Sequence, residues 1–63
     1  MVKEISRQKA RSMVNVAGWA GLRAGYNLNV YDGERKVMVW AKNAPDNLQY
    51  KSNMKTIYYM RAL

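Results

Sequence analysis

Hydrophobic side chains recur at helical spacing at the start of the chain. They are three, four or eight residues apart, which places them on one side of a helix, while basic side chains at four-residue spacing fall on the other side. We therefore predict one amphipathic helix over residues 2–22, with Lys9 as the basic exception on its apolar side. The apolar side comprises Val2, Ile5, Met13, Val16, Ala17 and Ala20, and the basic stripe comprises Lys3, Arg7 and Arg11.

Glycines mark the far end of this segment. Gly18 and Gly21 would each destabilise a helix by about 1 kcal/mol relative to alanine. Either the helix ends near them, or they allow another element to approach closely. Gly25 is the more natural stop signal if the helix continues through Arg23.

A β-hairpin is the clearest local signal in the chain. Asp32 and Gly33 separate two alternating segments, and tight hairpin turns require the positive φ that glycine adopts freely. We predict strands over residues 26–31 and 34–41. The core face then holds Tyr26, Leu28, Val30, Val37 and Val39, and the outer face holds Asn27, Asn29, Tyr31, Glu34, Lys36, Met38 and Trp40.

The remaining residues allow two interpretations. Residues 42–47 contain the only proline, Pro45, and predict a loop. After it, a helix capped by Asp46 would align Tyr50, Met54, Ile57 and Tyr58. A second hairpin, turning at Ser52 and Asn53, is favoured by the strand propensity of residues 56–59. Its outer face would hold Gln49, Lys51, Met54, Thr56, Tyr58 and Met60.

These elements predict a fold of the α+β class for a single small basic domain spanning residues 1–63. An N-terminal amphipathic helix packs on a short antiparallel sheet of three to four strands, so that both bury their apolar sides. The alternative is a helix, a hairpin and a C-terminal helix. A helix-turn-helix fits poorly, because residues 26–30 predict a strand where the recognition helix should lie.

Composition limits how such a domain is stabilised. A chain of 63 residues buries a small core, and without cysteine or histidine it has no disulfide and no thiolate or imidazole metal ligand. Self-association as a homo-oligomer would add buried surface. The absence of cysteine fits a reducing compartment, and we expect a cytoplasmic protein. A signal peptide is the rival interpretation, because basic residues precede the apolar run over residues 13–22. That run is broken by polar and glycine residues and is too short to span a bilayer.

The residues offer little for catalysis. Without histidine or cysteine the only candidates are the four acids, and two of these, Asp32 and Asp46, have turn or cap roles. The glycine spacing matches no nucleotide-binding motif. We expect no enzymatic activity, no cofactor and no metal site.

The formal net charge of +7, from eleven basic and four acidic residues, indicates a polyanionic partner. We predict binding to DNA or RNA, with basic residues pairing with phosphates and exposed aromatic rings stacking on bases. The predicted site residues are Lys3, Arg7 and Arg11 on the helix, and Tyr31, Lys36, Trp40, Lys51 and Tyr58 on the outer sheet face.

Two other partners remain as alternatives. One is an acidic surface of a larger protein, bound by a small inhibitor or adaptor of the kind that phages and mobile elements encode. The alternative role of Trp40 and Tyr31 is to cover a second small core or a dimer interface instead of stacking on bases. The other is an anionic membrane surface, which we rank last because the apolar side of the helix is needed to cover the sheet.

Overall fold

The computed structural model describes residues 1–45 and 54–63. These form a four-stranded antiparallel sheet and two short helices, an α+β arrangement, with the strands in the order β1-β4-β3-β2. None of the described helices is long and apolar enough to cross a membrane. The elements along the chain are β1 (Val2–Ile5), α1 (Arg7–Met13), α2 (Val16–Arg23), β2 (Leu28–Asp32), β3 (Arg35–Pro45) and β4 (Met54–Ala62).

The prediction of one N-terminal helix was wrong, because the first element is a strand and the helical segment is divided. Two capping side chains set these boundaries. The Ser6 hydroxyl accepts the backbone N–H of Lys9 at 3.0 Å, and the Asn15 side chain accepts that of Gly18 at 2.7 Å. Each cap residue has an extended backbone and begins a new helix. The apolar spacing of Val2 and Ile5 therefore did not arise from a helix.

Lys9, which did not fit the predicted apolar helix side, has a partner outside α1. Its ammonium donates to the carboxylate of Asp32 at 2.8 Å, linking α1 to the end of β2. Both side chains are partly exposed, at 44% and 28%, so the pair adds little stability. The pair nevertheless neutralises the charge of Lys9, one of the cations on the helix side of the sheet.

The end of α2 confirms the stop signal at Gly25. This glycine has a φ of +97°. Its N–H donates to the carbonyl of Leu22, and the N–H of Tyr26 donates to that of Gly21, at 3.1 and 3.0 Å. This is the Schellman pattern of a helix C-terminus.

Gly18 and Gly21 differ in how closely their neighbours approach. A Cβ atom on Gly18 would lie 3.0 Å from Val14 Cβ and 3.2 Å from the capping oxygen of Asn15, whereas one on Gly21 would meet only Leu28 Cδ2, at 3.6 Å. Gly18 therefore permits the close approach of α2 to the turn before it. The space beside Gly21 accommodates a methyl group.

We predict opposite effects of alanine at these two positions. Gly21→Ala should stabilise the protein by up to about 1 kcal/mol through helix propensity. Gly18→Ala should destabilise it by about 1 kcal/mol or more, since the cap and Val14 must shift. Thermal unfolding of both variants measures the difference. Equal stabilisation by both would contradict the tight packing at Gly18.

The core lies between the helices and one face of the sheet. Val37 and Val39 from β3 and Tyr58 from β4 are buried there, under Ala10 from α1 and Leu22 from α2. Partly buried apolar side chains surround this cluster. They are Ile5, Met13, Val14, Trp19, Leu28, Val30, Ala41 and Met60.

The predicted hairpin is confirmed, with shifted ends. Asp32 pairs with Arg35, leaving a two-residue loop in which Gly33 has a φ of +68°. Four of the five residues predicted for the core face lie there. The exception, Tyr26, precedes β2 and is 66% exposed.

The C-terminal half of the chain departs further from prediction. Described residues 54–62 form a strand, as favoured, and not a helix. Lys42–Pro45, predicted as a loop, continue β3, because they pair with β4. The proposed turn at Ser52 and Asn53 lies outside the described residues.

Candidate functional site

Both described helices pack on one face of the sheet, and the opposite face carries no covering element among the described residues. We call this second surface the open face. Side chains directly opposite each other in neighbouring strands share a face, which defines its members. They are Val2 and Glu4 from β1, Asn29 and Tyr31 from β2, Lys36, Met38, Trp40 and Lys42 from β3, and Lys55, Ile57, Tyr59 and Arg61 from β4.

An aromatic pair occupies the middle of the open face. Trp40 lies directly opposite Tyr59, and their rings stack with centroids 5.8 Å apart and an angle of 23° between planes. Both rings are partly exposed. A shallow depression of about 170 Å³ lies against them, bounded also by Val2 and Lys42. The pair therefore presents aromatic surface in a place that a flat ring can reach.

Cations lie on both sides of this pair along the β3–β4 ladder. Arg61 follows Tyr59 by two residues in β4, and Lys42 follows Trp40 by two residues in β3. Because the two strands are antiparallel, Arg61 and Lys42 lie on opposite sides of the aromatic pair. Two residues of a strand span roughly 6.6–6.8 Å. Lys36 lies beyond Arg61 and Lys55 lies beyond Lys42, so that four cations follow the ladder. We call these four residues the basic line. All four cations are exposed, and the only acid among the described residues of this face is Glu4.

Beyond the four-stranded part, β3 and β4 continue as a two-stranded ribbon. β2 pairs with β3 only as far as Val39, and β1 pairs with β4 only from Tyr58 onward. The ribbon pairs Lys42–Pro45 with residues 54–57, and the Thr56 hydroxyl donates to the Asn43 side chain at 2.8 Å. Lys42 and Lys55 lie on the open face of this ribbon, so the basic line continues along it.

The structure separates the predicted outer-face residues into three groups. Tyr31, Lys36 and Trp40 lie on the open face, as predicted. Tyr58 was wrongly placed there: it is 3% exposed and stacks on Trp19 beneath the helices, at 5.4 Å between centroids. Lys51 lies outside the described residues.

Tyr59 takes the position that was predicted for Tyr58. The error arose because a strand has two faces and a shift of one residue exchanges them. Sequence reasoning also missed Lys42, Lys55 and Arg61, since none lay in the predicted outer-face set. The signal for Lys55 and Arg61 is alternation over residues 55–61, which fits either face until the partner strand is known, whereas Lys42 lay in the predicted loop.

The predicted basic helix stripe is also divided. Lys3 belongs to β1, opposite Met60, and therefore lies at the sheet edge on the helix-covered side. Arg7 and Arg11 remain together on α1, where both guanidinium groups lie over the ring of Trp19. The stripe of three is thus a pair of arginines and a separate lysine.

The described residues contain no group of three or more acidic, histidine or cysteine side chains able to hold a metal ion. No family model, curated protein or solved structure matches the chain. The interpretation of the open face therefore depends on its own geometry.

Proposed function

We propose that this protein binds single-stranded DNA or RNA on the open face, and that it does so in the cytoplasm. The observation that supports this most directly is the stacked Trp40–Tyr59 pair with Lys42 on one side and Arg61 on the other. Aromatic rings stack on the faces of bases, while cations pair with the phosphates that connect them. The proposed role is binding, without catalysis or a cofactor.

The partly exposed aromatic pair of the open face favours single strands over duplex. In a duplex the faces of the bases are occupied by neighbouring bases, so an aromatic pair cannot stack on them without unstacking the helix. Single strands expose those faces. Duplex would be held by charge alone, and its binding should not depend on the aromatic rings.

Salt dependence provides a direct test. If the four cations of the open face each neutralise one phosphate, the logarithm of the affinity for a single strand should fall with the logarithm of the salt concentration, with a slope of about −3. A fourfold increase in salt should then weaken binding by roughly 50-fold. Fluorescence anisotropy of a labelled oligothymidine at several salt concentrations measures the slope.

The same titration with a duplex of equal length tests the preference. We expect tighter binding of the single strand at matched salt. Failure to bind either oligonucleotide at low salt would overturn the proposal. That result would favour an acidic protein surface as the partner, because the charge of the open face is also suited to one.

A further inference from the structure

Two arginines on the helix side of the sheet are held against the same aromatic ring. The guanidinium carbons of Arg7 and Arg11 lie 5.7 and 5.4 Å from the centroid of the Trp19 ring. Trp19 is itself fixed by stacking on the buried Tyr58. Cation–π contacts at such distances orient a guanidinium group over the ring. We call Arg7, Arg11 and Trp19 the arginine clamp.

Among the residues that the structure describes, no acidic side chain compensates the positive charge of the clamp. Arg7 and Arg11 are one helical turn apart, a spacing at which like charges repel and destabilise a helix. Among the described residues neither has a carboxylate within salt-bridge distance, whereas the intervening Lys9 is paired with Asp32. Residues 5–31, which include both helices, contain no acid. An anion bridging the two guanidinium groups would relieve the repulsion.

Arginine pairs of this kind suit phosphate oxygens. The guanidinium group presents N–H donors in a planar fork that matches the geometry of a phosphate, and it forms strong charge-assisted hydrogen bonds. Both side chains are exposed on α1. Given the proposed nucleic-acid binding, the ligand class that fits the clamp is a phosphate group of a nucleic-acid backbone.

The clamp and the open face lie on opposite sides of the sheet. Tyr58 and Tyr59 are consecutive in β4 and point in opposite directions: Tyr58 carries Trp19 on the helix side, and Tyr59 carries Trp40 on the open face. A short strand that stacks on Trp40 cannot reach Arg7 and Arg11 through the sheet. Two segments can be held at once.

We propose that the protein bridges two nucleic-acid segments, one stacked on the open face and one held by its phosphates at the arginine clamp. This inference rests on the proposed single-strand binding, to which it adds a second site and a further activity. It also accounts for positive charge on both sides of the sheet, where a single binding surface would require it on only one.

Energy transfer between two labelled strands tests the bridge. Donor- and acceptor-labelled oligothymidines cannot pair with each other, so transfer between them requires protein. With wild-type protein we expect transfer to rise and then fall as protein is added, because excess protein occupies each strand separately. Anisotropy recorded on the same samples reports binding of the individual strands.

The variant R7Q/R11Q should abolish most of the transfer. We expect the affinity of the clamp for the second strand to fall about tenfold. The affinity for the first strand, measured by anisotropy, should change by less than about twofold. Glutamine preserves helix propensity, and circular dichroism checks that the variant is folded. The control R23Q/R35Q removes the same charge from exposed positions outside both sites and should retain transfer.

The results separate the two proposals. Transfer that persists in R7Q/R11Q would overturn the bridge through the clamp, since pairing of two protein copies would then explain it. Binding without transfer in the wild type would overturn the bridge while leaving single-strand binding intact. Absence of binding in the wild type would overturn both.

Discussion

Replacing Trp40 with alanine is expected to weaken binding of a single-stranded oligonucleotide by about one to two orders of magnitude. Stacking of one base on an aromatic ring contributes about 1–3 kcal/mol, and about 1.4 kcal/mol corresponds to a tenfold change in affinity. Trp40 and its stacked partner Tyr59 are central on the open face. Tyr59→Ala should have an effect of the same kind, and duplex binding should change little in either variant.

Two further variants make this measurement specific. Tyr26 is 66% exposed, which makes its ring more accessible than the partly exposed rings of Trp40 and Tyr59, but it lies outside the sheet. Tyr26→Ala should leave binding unchanged. Glu4 lies opposite Tyr59 on the open face, so Glu4→Gln should strengthen binding by removing repulsion of the phosphates. Equal losses with Trp40→Ala and Tyr26→Ala would contradict the assignment of the stacking site.

Replacing Tyr58 with alanine is expected to produce the largest loss of stability. Its ring is 3% exposed, packs with Val39 and Leu22 in the core, and stacks on Trp19. Truncating a buried aromatic side chain destabilises by about 3–5 kcal/mol. For a domain of this size that lowers the melting temperature by more than about 12 °C, or leaves the chain unfolded. Thermal unfolding followed by circular dichroism measures it.

The neighbouring tyrosine provides the matched control. Tyr59→Ala removes the same atoms one residue later, from the open face, and should cost far less stability while reducing binding. Tyr58→Phe keeps the ring in the core and should unfold close to the wild type. If Tyr59→Ala were the more destabilising of the two alanine variants, the assignment of the two faces would be reversed.

Local features of the fold could be predicted from the sequence. The β2–β3 hairpin and the division of its residues between two faces follow from Gly33 and the alternation around it, and the end of α2 follows from Gly25. These features depend on backbone preferences within a few residues. The same local reasoning correctly placed Tyr31, Lys36 and Trp40 together on the outer face.

Long-range pairing was beyond the same reasoning. Val2 and Ile5 match helical spacing, yet they belong to a strand because β4 offers a partner about 55 residues away in the chain. The continuation of β3 through Pro45 has the same cause: it pairs with residues 54–57 of β4. Local propensity carries no information about such partners.

The sequence alone determined that this chain of 63 residues is strongly basic, with an aromatic and basic hairpin and without histidine or cysteine. Only the tertiary structure decided which aromatic rings lie on the open face and which are buried in the core. Pairing of β4 with β3 sets Tyr59 beside Trp40 and sends Tyr58 into the core, where it supports the Trp19 of the arginine clamp. The reason is that strand alternation gives two faces but does not say which one the helices will cover.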